Sequence, residues 1–309
     1  MHISLDAALQ RQPLLSTVGD KLLPTFPGAA AAYSLRALNG DANNVVRVRR
    51  SSDDAERDFT AEGVSFELED WVGAGNDGFV ETWYDQSGNN NHAVQLNTEL
   101  QPQIVSAGSY LEKLDFDGVN DFLEVDNSTA TFKFLHDETT SSIFAVTTYG
   151  ESSNPENDFA LLSTFNGSSS ETGILLGYDD RSSLSRNNAY RHIVSNGSGG
   201  GNYSVDNLSN DKITPNQKIL LSTLTNPDSG TAADRDIARV NGGSFIQDNS
   251  KTTAPSASNS DNNLTIGALT SAAYLLGSIE EIIIYDSDQS ANRPAIESNI
   301  ADEYGITLS

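Results

Sequence analysis

The segment WYDQSGNNNH, residues 83 to 92, joins a β-forming aromatic pair to a run of polar and flexible residues. One interpretation makes it a polar ligand-binding cluster beside a sugar-stacking ring, comprising Asp85, Gln86, Asn89, Asn91 and His92. In the other, Asp85 and Ser87 bond to their own backbone, and Gly88 with Asn89 supplies the positive φ of a tight turn between strands. The residue types favour the turn, which predicts a structural role for the segment.

Short β-forming runs separated by Gly, Asn, Ser and Asp clusters surround this segment from about residue 45 onward. In VVRVRR (45–50) apolar and polar side chains alternate, which is typical of a strand with one buried face. Regularly spaced runs of this kind predict an all-β protein of two packed sheets. The other nine predicted strands are FVETWY (79–84), LDFDG (114–118), SIFAVTTY (142–149), FALLSTF (159–165), GILLGY (173–178), KILLSTLT (218–225), IARVNG (237–242), LTIGAL (264–269) and LLGSIEEIIIYD (275–286).

The two ends of the chain depart from this β pattern. Apolar residues recur at helical spacing between Ala291 and Tyr304, with Ser290 as the predicted N-cap and Gly305 as the predicted stop. A weaker helical pattern spans Leu5 to Leu15. We therefore predict an N-terminal extension over residues 1–29, serving as an attachment segment, and a β domain over residues 30–309 with a short C-terminal helix.

The charge of the chain limits its partners. It has 43 acidic and 18 basic residues among 309, a formal net charge of -25, and no cysteine. Such a surface repels phosphate backbones and anionic lipid, so we expect neither nucleic acid nor a membrane as a partner. No stretch approaches the roughly 20 apolar residues that span a bilayer, and the N-terminus lacks the pattern of a secretion signal.

Five segments, in this order along the chain, resemble the concanavalin A-like lectin/glucanase family. They are YSLRAL (33–38), VVRVRRSSD (45–53), WYDQSGNNNHA (83–93), LDFDGVNDFLEV (114–125) and GSIEEIIIYDSDQSANRPAIESNIADEYGI (277–306). More narrowly, they resemble a bacterial and phage branch that is related to the catalytic domain of fungal α-L-arabinofuranosidase B. This resemblance implies a two-sheet antiparallel jelly-roll sandwich with a groove for glycans.

The hydrolytic activity of the arabinofuranosidases does not follow from the residues present. Glycoside hydrolysis usually requires two carboxylates about 5 to 9 Å apart across one sugar. The resemblance places the two acids in ETGILLGYDD (171–180) and LTIGALTSAAYLLG (264–277), but the second stretch contains no Asp or Glu. The sequence therefore favours a non-catalytic protein, and a hydrolase that pairs Glu171 with an acid from another strand is the alternative.

Two further clusters are candidate sites. For a glycan, aromatic, acidic and basic side chains gather near one strand end at Tyr178, Asp179, Asp180, Arg181 and Tyr190; the alternative is a solvated hairpin tip. For calcium, which takes clustered oxygen ligands, the candidates are Asp179 with Asp180 and the group Asp115, Asp117, Asn120 and Asp121. The alternative for that group is a strand end followed by a Gly-Val-Asn turn.

Together these features predict a carbohydrate-binding or surface-attachment module of a phage virion, in the tail or as a capsid decoration. A virion protein needs no secretion signal, although the fold is mostly extracellular in use. The expected partners are a glycan, other virion subunits through residues 1–29, and a second copy in a homo-oligomer. Two alternatives remain open: an extracellular or cell-surface location, and a purely structural decoration protein.

Overall fold

The computed structural model describes residues 21–40, 43–151, 158–165, 172–198, 201–247, 249–269 and 273–309. These residues form 17 strands, all paired antiparallel. The strands are β1 (Ala29–Ser34), β2 (Asn44–Arg50), β3 (Glu56–Thr60), β4 (Gly78–Trp83), β5 (Ala93–Val94), β6 (Gln103–Ser106), β7 (Ser109–Asp117), β8 (Leu123–Val125), β9 (Ser141–Tyr149), β10 (Asp158–Ser163), β11 (Ile174–Asp179), β12 (Ala189–Ser195), β13 (Tyr203–Ser209), β14 (Lys218–Thr225), β15 (Asp236–Val240), β16 (Leu264–Ile266) and β17 (Leu276–Tyr285).

Helices make up little of the described chain. They are α1 (Leu22–Thr25), α2 (Ala61–Phe66), α3 (Leu68–Val72) and α4 (Arg293–Tyr304), with short 3-10 turns at Lys133–Leu135, Ser182–Leu184 and Ala232–Asp234. The longest, α4, has 12 residues, and no described helix has the length and apolar character needed to cross a bilayer.

The strands form two facing sheets. A five-strand sheet has the order β1–β17–β9–β14–β15. A ten-strand sheet has the order β3–β2–β4–β5–β8–β16–β10–β11–β12–β13. β6 and β7 connect β4 to β17, so the hydrogen-bonded ladder passes from one sheet to the other.

The main hydrophobic core lies between the sheets, and alternation along each strand fills it. On β14, Ile219 and Leu221 point into this core, while Leu220 points to the outer face. Burying one side chain of this size contributes about 1.5–3 kcal/mol relative to leaving it in water. A second cluster covers the outer face of the five-strand sheet, where α1 and α4 pack with Ile296 and Ile300.

The prediction of an all-β, two-sheet antiparallel sandwich with a C-terminal helix is confirmed. Each of the ten predicted runs contains a strand, and β1, β3, β5, β6, β8, β12 and β13 were missed. The predicted helix start was wrong: α4 begins at Arg293 with Asn292 as its cap, not at Ser290, because Gln289 and Ser290 are held in a preceding turn. Gly305 does end it, with φ 64°.

The predicted domain boundary at residue 29 stays a prediction. Leu22 and Leu23, which the prediction assigned to the extension, are buried against the sandwich in the second cluster. Ala29 already belongs to β1. The predicted helix at Leu5 to Leu15 lies outside the described residues, and an attachment role for the N-terminal segment stays a prediction.

The segment that follows β4 binds β1, and the Asp85 carboxylate is its centre. Asp85 is 8% exposed. Its Oδ1 accepts hydrogen bonds from the backbone N–H of Ala32 (2.9 Å) and Ser87 (2.8 Å). Its Oδ2 accepts from the Ser87 hydroxyl (2.7 Å) and from the N–H of Asn91 (3.0 Å). One buried carboxylate therefore accepts hydrogen bonds from backbone N–H groups of its own turn and of a neighbouring strand.

The next side chain continues the attachment. The Gln86 amide donates to the carbonyls of Ser34 and Arg36 (3.0 Å each) and accepts from the N–H of Leu38 (2.8 Å). The Gln86 backbone N–H also donates to the carbonyl of Ala32 (2.8 Å). Both ends of β1 are thus bound to the segment through backbone groups that would otherwise be unsatisfied.

The turn interpretation of this segment is confirmed, with one change. The Ser87 N–H bond to Asp85 closes the turn, and the left-handed positions are Gly88 (φ 94°) and Asn90 (φ 60°) rather than Asn89. The Asn89 amide instead donates to the Ala29 carbonyl (3.0 Å). Trp83 is buried in the core and does not offer a ring to a ligand.

Asp85→Ala should lower the free energy of unfolding by about 2–4 kcal/mol, because the backbone N–H groups of Ala32, Ser87 and Asn91 lose a charged acceptor. Urea unfolding followed by circular dichroism measures this loss. The matched control is Asp126→Ala, since Asp126 is exposed. Equal stability of the two variants would show that the Asp85 bonds do not support the fold.

Candidate functional site

The two aromatic residues of the predicted glycan site lie inside the protein. Tyr178 is 2% exposed and Tyr190 is fully buried. The Tyr178 ring stacks on Tyr149 (5.1 Å between centroids), and its hydroxyl donates to Asn188 Oδ1 (2.7 Å). Strand alternation explains the placement, because these tyrosines share the inward face of β11 and β12. Neither ring is exposed to a ligand in this structure, and a glycan site at these residues stays a prediction.

Tyr190 belongs to a buried polar cluster centred on Asp236. The Asp236 carboxylate accepts from the Tyr190 hydroxyl (3.0 Å), the Asn207 amide (2.7 Å) and the Thr225 hydroxyl (3.2 Å), and it bonds His192 Nδ1 (2.8 Å). Burial and the Asp236 charge raise the pKa of Tyr190 well above its ordinary value. Since these residues come from both sheets, the cluster joins the sheets across the core.

The acidic and basic members of the predicted site do meet, as an internal ion pair. Asp179, fully buried, accepts two hydrogen bonds from the Arg181 guanidinium (2.9 and 2.6 Å) and one from Arg186. Burial opposes ionisation, but the arginines outweigh it and hold the pKa of Asp179 below its usual range. Asp180 accepts from the N–H of Asn188 (3.1 Å). These carboxylates are engaged in the protein's own structure.

The predicted calcium cluster forms a turn. Asp117 Oδ1 accepts from the backbone N–H of residues 119 (2.8 Å) and 120 (3.2 Å), and Asp121 Oδ2 accepts from the N–H of Asp117 (3.0 Å). Asp115 pairs with Lys113 (2.9 Å), and the Asn120 amide donates to a backbone carbonyl. In the described part of the chain no group of three acidic or histidine side chains could hold a metal ion. Calcium stays a prediction.

The start of β11, where the resemblance places one catalytic acid, is lined by hydroxyl groups. Ser163, Thr164 and Ser260 are buried there and bond to nearby backbone groups. Glu171 lies outside the described residues, so the proposed rearranged carboxylate pair stays a prediction.

An exposed aromatic ring that sequence reasoning missed stands at the edge of the five-strand sheet. Phe245 is 55% exposed. The next residue, Ile246, is buried and exchanges two backbone hydrogen bonds with Ala238 of β15 (3.1 and 2.9 Å). The guanidinium carbon of Arg239 lies 3.9 Å from the Phe245 ring centroid, a cation–π contact. The ring is therefore exposed but fixed in position.

Arg239 also holds the loop that carries this ring. Its Nη1 donates to the carbonyls of Gly242 (3.2 Å) and Gly243 (2.6 Å). The sequence NGGSFIQ (241–247) contains the available signal, an aromatic residue placed between a glycine pair and a polar residue. The alternation of apolar and polar residues could not reveal this exposed ring, because Phe245 lies in a loop and only its neighbour Ile246 pairs with the sheet.

Phe245 lines two cavities, which together with the ring we call the Phe245 site. The first is an open groove of about 410 Å³, lined by Ser209, Asn210, Lys212, Phe245, Ile246 and Gln247. The second is a smaller cavity of about 140 Å³ over the outer face of the five-strand sheet. The apolar side chains of this cavity are Phe144, Leu224 and Ile237, and its polar ones are Ser142, Ser222, Thr223, Arg239, Gln289, Ser290 and Arg293.

The chemistry of the Phe245 site suits binding. It combines an aromatic face with hydroxyl, amide and cationic donors, and no Asp or Glu among the described residues lines either cavity. The carboxylate of Glu297 contacts two of the lining residues, accepting from Arg293 (2.8 Å) and from the Ser222 hydroxyl (2.5 Å). An aromatic face beside such donors can stack on a ligand and bind its polar edges.

Two solved structures share this fold. A GH54 α-L-arabinofuranosidase soaked with a cyclic sulfate inhibitor matches with a TM-score of 0.58 and 14% identity, over 88% of this chain and 62% of that one. An arabinofuranosidase complexed with arabinofuranosyl-α-1,2-xylobiose matches with a TM-score of 0.57 and 15% identity, over 90% and 64%. No protein-family profile and no curated protein matches the chain.

At this identity the likeness shows the fold alone. The chain spans less than two thirds of the length of either arabinofuranosidase. The distant similarity to arabinofuranosidases is confirmed at the level of the fold, and membership of a bacterial or phage branch stays a prediction.

The turn at Asp121 should make stability depend on pH. Burial, together with the charges of Asp117 and Asp115, raises the pKa of Asp121 to about 7, against about 3.9 in an unfolded chain. The protonated carboxyl is therefore favoured in the folded state. Its contribution to stability is complete below about pH 4 and is lost as the pH rises through 7.

Asp121→Asn keeps an oxygen acceptor for the Asp117 N–H and removes this titration. Its stability relative to the parent protein should be about equal at pH 4 and greater by about 1–3 kcal/mol at pH 8. Urea unfolding across this range measures the difference, with the exposed Asp126→Asn as the control. A difference that does not change with pH would contradict the raised pKa.

Proposed function

We propose that this protein is a non-catalytic carbohydrate-binding module that binds a glycan across the Phe245 site. The observation that carries the proposal is the fixed, half-exposed Phe245 ring beside a polar groove. The Arg239 contact and the Ile246 backbone bonds hold it in that position.

A sugar ring has complementary chemistry. Its C–H faces are apolar and stack on an aromatic side chain, while its hydroxyl edges need hydrogen-bonding partners. The groove offers such partners in Ser209, Asn210 and Gln247. Its volume of about 410 Å³ falls in the range of roughly 300–1,000 Å³ typical of small-ligand sites.

Fold likeness supports a glycan as the ligand class. One matching structure is an arabinofuranosidase complexed with arabinofuranosyl-α-1,2-xylobiose, so a protein that contains this fold binds a sugar chain. Because one fold can support many functions, this likeness supports the proposal without replacing the argument from the groove.

A hydrolase of arabinofuranosidase type is the second candidate, favoured by the same likeness. It would require Glu171 and a second acid at a site other than the Phe245 site. Release of reducing sugar from arabinan or xylan, lost in Glu171→Gln, would establish it. Glycan binding without any release supports the non-catalytic module.

The biological setting that we propose is a phage virion, with the module contacting host or environmental glycans. This part rests on the sequence resemblance and on the predicted attachment role of residues 1–29, through virion subunits or a second copy. An extracellular or cell-surface location is the alternative. Particles that lack the protein yet adsorb normally would indicate a purely structural decoration instead.

Phe245→Ala should weaken glycan binding about tenfold or more, because the stacking face and its buried area are both lost. Phe245→Tyr should retain most of the affinity. A glycan array identifies a ligand, and isothermal titration calorimetry then measures the affinity of each variant.

Phe66→Ala is the matched control, since Phe66 is 64% exposed and lines neither cavity. If Phe245→Ala and Phe66→Ala bind the ligand alike while remaining folded, the glycan does not bind at Phe245.

A further inference from the structure

We infer that the Phe245 site is built for an acidic glycan, a chain whose sugars carry carboxylate or sulfate groups. The inference rests on the proposed function and names the class of glycan. The observation behind it is that the described charged residues lining the site are positive, whereas the protein has a net negative charge.

The charged residues that line the site are basic, whereas the chain as a whole is acidic. The chain has more than two acidic residues for each basic one. Three of its 18 basic residues, Lys212, Arg239 and Arg293, line the two cavities, and no acidic residue lines them within the described part of the chain. A surface sampled at random from this protein would be acidic, so the placement of these cations indicates an anionic ligand.

Two of the three cations lack an acidic partner in the described part of the chain. Arg239 donates to the neutral carbonyls of Gly242 and Gly243, its buried Nε has no partner there, and the charge of Glu297 acts on it without forming a salt bridge. Lys212 forms no ion pair with any described residue. Only Arg293 is neutralised, by Glu297.

Arg239 and Arg293 also repel each other. Burial, and then the charge of Arg293, lower the pKa of Arg239. The charge of Glu297, which pairs with Arg293, offsets part of this repulsion. An anion between the two arginines would relieve the repulsion, and guanidinium groups bind carboxylate and sulfate through paired N–H donors.

The cations are divided between the two cavities that Phe245 lines. Lys212 lines the groove, whereas Arg239 and Arg293 line the smaller cavity. A sugar stacked on Phe245 would therefore have positive charge available in both cavities. This arrangement fits a chain with repeated anionic groups better than a single charged sugar.

The net charge of -25 does not prevent such binding. At physiological salt, charges separated by more than about 8 Å are largely screened. The approaching anion then responds mainly to the local cations rather than to the acidic surface elsewhere.

The experiment compares acidic oligosaccharides with matched neutral ones by calorimetry. The probes are oligogalacturonate with its methyl ester, and a sulfated carrageenan oligosaccharide with its desulfated form. We expect at least one acidic member to bind about tenfold or more tightly than its neutral partner, since a charge-assisted hydrogen bond contributes about that factor. The pair that shows the preference distinguishes carboxylate from sulfate.

Variants connect the preference to the site. Lys212→Gln and Arg293→Gln should weaken binding of the acidic member more than that of its neutral partner, by about three- to tenfold. Lys133→Gln removes the same charge at a residue that lines neither cavity, and should leave the preference intact. Thermal unfolding establishes that each variant is folded.

The outcomes separate this inference from the proposed function. Equal binding of acidic and neutral members, lost in Phe245→Ala, overturns the acidic preference and leaves glycan binding standing. Acidic binding that Lys133→Gln weakens as much as Lys212→Gln also overturns it, because the attraction is then nonspecific. Binding that does not respond to Phe245→Ala overturns the proposed function itself.

Discussion

The buried Asp85 carboxylate is the constraint on which the arrangement of the first strand depends. Strand β1 pairs with β17 on one side, and the segment after β4 satisfies backbone groups on its other side. An unpaired sheet edge would otherwise expose a row of donors and acceptors to other chains. Polar side chains that resemble a ligand-binding cluster in the sequence therefore form hydrogen bonds to β1, the edge strand of the five-strand sheet.

Alternating apolar side chains predicted the long strands of the sandwich, and their absence explains the strands that were missed. β5 and β8 have two and three residues, too few to show a period. In β13, YSVDNLS, an inward position is occupied by Asn207, which bonds buried Asp236. A polar residue satisfied across the core is indistinguishable in the sequence from one exposed to solvent.

The candidate site could not be predicted by the same reasoning. Tyr178 and Tyr190 occur beside acidic and basic residues, as sugar-binding aromatics do, but strand register places both rings in the core. Phe245 is exposed because Ile246, one position later, occupies the bridge to Ala238. Which of two adjacent apolar residues faces inward depends on a contact with another strand, and local sequence does not contain that information.

The shared position of β17 has a consequence for synthesis of the protein. This strand, at residues 276–285, pairs with β1 near the start of the domain and also with β7 and β9. The ribosome makes it after the other 16 strands, so the earlier strands must wait with their apolar faces uncovered. Contacts so distant in sequence form slowly, and the waiting chain is prone to association. The strong negative charge of the nascent chain would keep neighbouring copies apart during that interval.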